Sequence, residues 1–437
     1  MADKLKTLID EIYQENTYPP QTKKTIYKDV DVFMSSLQAK LSEHGIDADV
    51  FLGGSSAKGT FLKGSFDCDI FVRFDYKKYA AFSHEISDIL HKPLHELTAG
   101  NVERVHGSRD YFQYKPKNIS PAIAFEFIPV LAVNDPMDAK NVTDVSPLHV
   151  RWIQKYLSPG LTKQIVVTKL FLKAQGLYGA ESYIKGFSGH DVDILIAHYG
   201  SFETLLHEAV HWKKHTIIDV EGHYAQDSDV FHSLNASKIG PLILVDPVQP
   251  ERNAAASLSL EKFNLFKEKA LAFLARPSKS AFTQKPFSLT SLKRKRMNGC
   301  QKIIFKVVPK KGKPDVIGSK LLKAFTHIRK HLEKHDFEIF DADWYWDKQS
   351  VAYFWFFVTE ESLLFMQEHP FLVRGGPPKE NKIAVKAFKG KHKDVYEEHG
   401  RLFTRVKREF LSIDDVVDSI INDPYVLQRV ESIAVIS

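Results

Sequence analysis

Two aspartates two residues apart, Asp67 and Asp69, open the strand-like run that continues to Phe74, and this arrangement restricts the local fold more than any other part of the chain. Side chains alternate along a β-strand, so both carboxylates take one face and Cys68 and Ile70 the other. Two carboxylates crowded on one face repel each other, and a bound divalent cation removes that cost. Magnesium favours one or two carboxylates with phosphate oxygens over a full protein cage. The pair, joined by a third carboxylate from a neighbouring strand, therefore suits two-metal phosphoryl transfer with Mg2+. Taken by itself, an Asp-x-Asp on a strand is also common as plain surface.

Glu126 is the candidate third carboxylate. It lies within the apolar segment Ala122–Val130, where a lone charge is costly to bury unless it is paired or bound to metal. The alternative is a glutamate on a half-exposed strand that faces solvent or meets a basic side chain. Upstream of the aspartates, Gly53-Gly54-Ser55-Ser56 reads as a turn. Gly53 and Gly54 let the backbone come close to a phosphate. Ser55 and Ser56 offer hydroxyls and N–H groups where a short helix would start, a place that favours anions. Lys58 adds a positive charge one turn on. An ordinary helix cap accounts for one serine, but not for the two glycines and both acids together.

At 437 residues the chain is too long for one ordinary domain, and about 150 residues per domain gives roughly three. Residues 1–45 read as two helices, separated at Tyr18-Pro19-Pro20. Strands follow at Ala48–Leu52 and Cys68–Phe74, and Tyr111–Tyr114 with Ala122–Val130 reads as a hairpin. From Pro147 to about Phe273 the apolar spacing turns helical, as in Val166, Val167, Leu170, Phe171 and Ala174. The C-terminal part mixes strands (Lys302–Val308, Phe337–Tyr345, Val351–Val358) with helices (Leu321–His335, Asp414–Ile421). No internal repeat or low-complexity tract is present.

The two cysteines, Cys68 and Cys300, have no partner at metal-ligand spacing, so no zinc site is expected, and so few cysteines do not suggest a secreted chain. The opening residues, MADKLKTLIDEIYQE, are charged throughout and contain neither a signal peptide nor a membrane span, so a cytoplasmic protein with no membrane partner is expected.

Taken in order, Gly54-Ser55, Lys58-Gly59-Thr60, Leu62-Lys63-Gly64 and Asp67-Cys68-Asp69-Ile70 resemble the signature of the polymerase-beta-like nucleotidyltransferases. More narrowly they resemble the archaeal-type (class I) CCA-adding enzymes. The resemblance continues through Ser146-Pro147-Leu148-His149, Lys169 with Leu172–Glu181, Gly186–Gly189, Tyr199–Phe202, Asp246-Pro247, Arg252–Ala255, Leu258–Leu260, Arg374–Pro378 and Arg401–Arg408. It implies an α+β multidomain chain. Residues 1–145 would form a catalytic head of mixed sheet and helices, and 146–257 a helical central (neck) domain that binds nucleotide. Residues 258–314 and 363–437 would form an α/β body that binds tRNA, with a tail subdomain at 315–362. The activity implied is template-independent addition and repair of the 3′-terminal CCA of tRNA from CTP and ATP, releasing pyrophosphate.

The resemblance also assigns residues. Gly54, Ser55 and Lys58 would bind the triphosphate, Asp67 and Asp69 would hold both metals, and Glu126 would complete the site beside the primer hydroxyl. His149, Lys169 and Tyr178 would contact triphosphate and sugar, and Arg252 would read the edge of the incoming base together with RNA phosphate. The family pattern has Asp where this chain has Glu126, which puts the role of that side chain in question. Each residue taken singly has a plainer reading: Lys169 as a solvated helix charge, Tyr178 as core packing, His149 as a satisfied polar group, and Arg252 as a cap or surface ion pair. The alternatives on the same head are a poly(A) polymerase, an oligoadenylate or cyclic-nucleotide synthase, and a catalytically dead RNA-binding protein.

A net charge of +6 says little about a polyanionic partner, but its distribution says more. Lys293–Arg296, Lys310–Lys313, Lys386–Lys393 and Arg405–Arg408 concentrate positive charge in the C-terminal half. Such runs can anchor phosphates without reading sequence, and the A-form acceptor stem and T arm of a tRNA are gripped mostly by shape and 2′-hydroxyls. The aromatic run Val351–Val358 reads as a buried strand in preference to a base-stacking platform. A homodimer is left open.

Overall fold

The computed structural model describes residues 2–64, 67–117, 123–359, 366–370, 382–398, 401–407 and 409–436. Two units divide the chain, Met1–Lys285 and Pro286–Ser437. The first opens with α1 (Ala2–Asn16) and α2 (Pro20–Glu43). The break falls at the expected prolines: Pro20 takes the first helical turn, where a missing N–H leaves no bond unmade. β1 (Ala48–Leu52), a single-turn α3 (Gly54–Ala57) and β2 (Asp67–Phe74) follow. Then come α4 (Ile86–Leu97), β3 (Val102–Val105), β4 (Tyr111–Tyr114) and β5 (Ala124–Leu131).

These five strands form one sheet in the order β1-β2-β5-β4-β3. β2 and β5 run parallel, with Asp69 opposite Glu126. β4 pairs antiparallel with β5, as the hairpin reading expected, with Gln113 opposite Glu126. Cys68, Ile70, Val72 and Phe74 of β2, with Phe125, Phe127 and Leu131 of β5, are buried against Val30, Leu37 and Leu41 of α2 and Leu90 and Leu94 of α4. Alternation therefore sends Asp67, Asp69 and Phe71, with Glu126, Ile128 and Val130, to the opposite face.

The rest of the first unit is mainly helical: α5 (Ser146–Gln154), α6 (Pro159–Ala174), α7 (Gly189–Tyr199), α8 (Phe202–His211) and, after the short parallel pair β6 (Thr216–Ile218) and β7 (Leu242–Leu244), α9 (Leu260–Ala275). The serines Ser158, Ser188, Ser201 and Ser259 each accept a first-turn N–H and so start α6, α7, α8 and α9. α7 ends at Gly200, in the left-handed region at φ 75°. The apolar faces of α6 to α9 share one core with Leu5, Ile9 and Ile12 of α1. The first helix is thus built into the helical layer. α9, which the sequence reading assigned to the C-terminal body, packs in the same core through Phe263, Phe266 and Phe273. α5 bridges the layers: its Trp152 and Ile153 enter the helical core, while Val150 packs on Phe71 and Val130 of the sheet.

The second unit contains β8 (Cys300–Pro309), α10 (Pro314–Lys334), β9 (Ile339–Trp346), β10 (Ala352–Thr359), β11 (Met366–Pro370), α11 (Lys382–Lys391), β12 (Val395–Glu398), β13 (Arg401–Lys407), α12 (Ile413–Ile421) and β14 (Val430–Val435). It has a four-stranded antiparallel sheet, β14-β8-β10-β9, and a three-stranded one, β11-β13-β12. In β10, Phe354, Phe356 and Phe357 are fully buried. Phe354 and Phe356 meet Phe325 of α10, and Tyr353 and Trp355 stack with Phe287. The aromatic run is a core strand. The resembling segment Arg374–Pro378 lies outside the described residues, as does Arg408. Among the described residues no helix is long and apolar enough to cross a membrane.

Candidate active site

The carboxylates meet on the sheet face turned toward α5. Asp69 and Glu126 are register partners on adjacent parallel strands, and Asp67 is two residues before Asp69 on the same face. Burial raises the Asp69 pKa to about 7, and the charges of Glu126 and Asp67 add to the rise. The Glu126 pKa is also raised, first by burial and further by Asp67, although a hydrogen bond from Gln113 Nε2 (2.6 Å) opposes the shift. These are hard oxygen donors held close together on one face, a set that fits a hard divalent cation with phosphate oxygens. The three carboxylates are not drawn into a closed cluster: among the described residues, the only three or more such groups with ligand atoms within 4.8 Å of one another are His149, His190 and Asp246.

The glycine turn is shaped to Asp69. Gly53 N–H donates to the Asp69 carbonyl at 2.8 Å, fixing the turn to β2. Gly54 has φ +52°, and a Cβ there would sit 1.5 Å from Asp69 Oδ2, so no side chain can be placed without displacing that carboxylate. A Cβ on Gly53 would lie 2.4 Å from the Phe71 ring. Beyond the turn, the Lys58 ammonium meets Asp193 of α7 at 2.5 Å. Lys169 of α6 is not the solvated charge that the plain reading allowed. It is 4% exposed, donates to Thr60 Oγ1 at 3.0 Å, and has its pKa lowered to about 7 by burial and then by Lys58. Tyr178 is half-buried, with its pKa raised by burial and by Asp193.

The far wall is held by two buried carboxylates. Asp144 accepts the Arg109 guanidinium, Leu131 N–H (2.8 Å) and Asn141 N–H (2.9 Å), which fixes the approach to α5 against the end of β5. Asp246, fully buried, faces His149 Nε2 at 3.0 Å, His190 Nε2 at 3.5 Å and Arg252 Nη1 at 2.6 Å. Burial lowers the His149 pKa to about 4, so the ring is neutral at pH 7. Burial alone would raise the Asp246 pKa, but the His149 hydrogen bond and the nearby His190 ring overcome it and hold the carboxyl well below its usual range. With Arg252 already seated on Asp246, this group is an ion-pair hub whose carboxylate charge is already matched, which leaves little negative charge to draw a metal ion.

A cleft of about 410 Å³ joins the two regions, lined among others by Gly54, Lys58, Asp69, Glu126, His149 and Asp193. Of the residues singled out in the sequence, it brings together Gly54, Lys58, Asp69, Glu126 and His149. Ser55, Asp67, Lys169, Tyr178 and Arg252 do not line it. Lys169 and Tyr178 lie behind the wall, where their charge and hydroxyl act on Lys58, Asp193 and Asp69. His190, Asp193, Gln113 and Asp246 were not assigned roles from the sequence. His190 and Asp193 were detectable in principle, since Ser188-Gly189-His190-Asp191-Val192-Asp193 is a helix start dense in polar groups.

Residues 28–119 match the family described as nucleotidyltransferase domain, 163–283 match tRNA nucleotidyltransferase, second domain, and 301–426 match CCA-adding enzyme, C-terminal domain. The chain is 34% identical over 368 residues to a CCA-adding enzyme of Nanoarchaeum equitans, covering 84% of this chain and 86% of that protein. It is 29% identical to a CCA-adding enzyme of Methanothermobacter thermautotrophicus, covering 90% and 84%. A solved poly(U) polymerase structure superposes with a TM-score of 0.48 at 13% identity, covering 65% of this chain and 99% of that one.

Proposed function

Since the chain belongs to the archaeal-type CCA-adding enzymes, nucleotidyltransferases that act on tRNA with CTP and ATP, we propose a specific division of labour among its residues. Asp67 and Asp69, with Glu126 beside the primer end, hold Mg2+ as the divalent metal. These carboxylates would hold the ion, which would supply Lewis-acid activation of the primer 3′-hydroxyl and charge neutralisation at the leaving pyrophosphate. Gly54 and Ser55 give backbone and hydroxyl contacts to the triphosphate, and Gly54 does so because nothing projects from it toward Asp69. Lys58 exchanges its ion pair with Asp193 for the triphosphate. Lys169 and Tyr178 support this charge from behind, His149 contacts triphosphate and sugar, and Arg252 reads the base edge. We place the tRNA acceptor stem and T arm on the basic surfaces of the second unit, and the reaction in the cytoplasm.

One observation carries the catalytic assignment: Asp69 and Glu126 are register partners on parallel strands, on the face that Gly54 abuts. The test is extension of a tRNA lacking its last three nucleotides, with CTP alone, ATP alone or both, with and without Mg2+. Two C residues with CTP alone, completion to CCA with both, and no extension without Mg2+ are expected. A long A tail, or small oligonucleotides made without primer, would contradict it. Unchanged activity in Asp69→Ala would remove the assigned chemistry.

A further inference from the structure

We propose that Asp246 is a positioning residue that fixes the orientation of Arg252 and the tautomer of His149 together, so that one buried carboxylate couples base selection to nucleotide binding. The inference rests on the roles given above to those two residues. Asp246 follows β7 and opens a tight turn, in which its own N–H donates to the Arg252 carbonyl at 3.0 Å. Its two oxygens divide the work. Oδ1 accepts the turn N–H groups of Val248 (2.9 Å) and Gln249 (3.1 Å), while Oδ2 holds Arg252 Nη1 at 2.6 Å. His149 Nε2 lies 3.0 Å from both oxygens.

A carboxylate only accepts, so Nε2 of His149 must carry the proton, which leaves Nδ1 as its other polar atom. His190 completes the group, its ring 4.1 Å from that of His149 and its Nε2 buried without a hydrogen bond. Arg252 is 40% exposed at its side chain and carries a guanidinium on a flexible stem. Without Oδ2 it would sample many rotamers, and a planar donor that reads a base edge must be held in one plane.

Asp246→Asn separates the two oxygens. The amide oxygen can keep the Val248 and Gln249 bonds, but the amide nitrogen then faces Arg252 donor to donor. The melting temperature is expected to stay within about 3 °C of the parent. Discrimination for CTP and ATP over UTP and GTP, measured as kcat/KM, is expected to fall about tenfold or more. Arg252→Ala should give a similar loss, and the double variant should lose little beyond either single one. A loss of discrimination in Arg252→Ala but not in Asp246→Asn overturns the positioning role alone. No loss in Arg252→Ala overturns the reading of Arg252 on which it rests. Should Asp246→Asn fail to fold, 15N NMR of the histidine-labelled parent, with the signal assigned by His149→Gln, carries the test: the Nε2–H tautomer supports the proposal and the Nδ1–H tautomer overturns it.

Discussion

Asp69 is costly to the fold, and the proposed chemistry needs it. Its pKa of about 7 lies above the ordinary 3.8, so between those values the native state binds more protons than the unfolded one. Its ionisation therefore lowers stability as pH rises through that window. Asp69→Asn is expected to raise the stability of the metal-free protein at pH 8 by about 2 kcal/mol, the full shift being reduced by partial solvent contact, and to abolish CCA addition. Melting curves with an extension assay check both. His149 has the opposite sign. Its pKa of about 4 lies below the ordinary 6.5, so its contribution to stability is complete above pH 6.5 and is lost as pH falls toward 4. His149→Gln should flatten that limb of the stability curve. Gly54→Ala places a carbon against Asp69 Oδ2 and should reduce incorporation by at least about a hundredfold, with a loss of about 1–2 kcal/mol of stability from the left-handed backbone at φ +52°. The aspartates, the glycine turn and Glu126 were legible because strand alternation and turn chemistry act over a few residues. The partners of Lys58 and His149 were not, because Lys58 and Asp193 are 135 residues apart, and His149 and Asp246 97.

Among elements, the parallel pairing of β2 with β5 decides the site, since it alone brings Glu126 level with Asp69. A one-residue slip would turn one of them into the core. The strands themselves were readable from their period, but the register depends on how Cys68, Ile70, Phe125 and Phe127 fill the space beneath α2 and α4. Helix starts were coded by Ser158, Ser188 and Ser201, whereas the layer that a helix joins was not. α1 and α9 both show an apolar stripe, and either could have packed elsewhere. The aromatic strand β10 takes part in a core of its own. Phe356→Ala is expected to destabilise the second unit by about 3–5 kcal/mol, read by denaturant titration, with tRNA-dependent activity lost through unfolding.

At the scale of the molecule, the excess positive charge of the C-terminal half predicts salt-sensitive tRNA binding. Lys386 and Lys389 are exposed on α11. Replacing both with Glu should weaken tRNA binding by roughly tenfold at about 0.1 M salt and flatten the dependence of log Kd on log salt, measured by filter binding. Nucleotide binding in the first unit should be unchanged. The packing of α1 has a consequence for how the protein is made. Its Leu5, Ile9 and Ile12 lie in the core with Ile165 and other residues of α6, a helix that begins at Pro159. As the nascent chain leaves the ribosome, the sheet of the head can close first, while the first helix waits with its oily side uncovered until roughly 150 more residues have been translated. Over that interval α1 is where a chaperone would find something to hold.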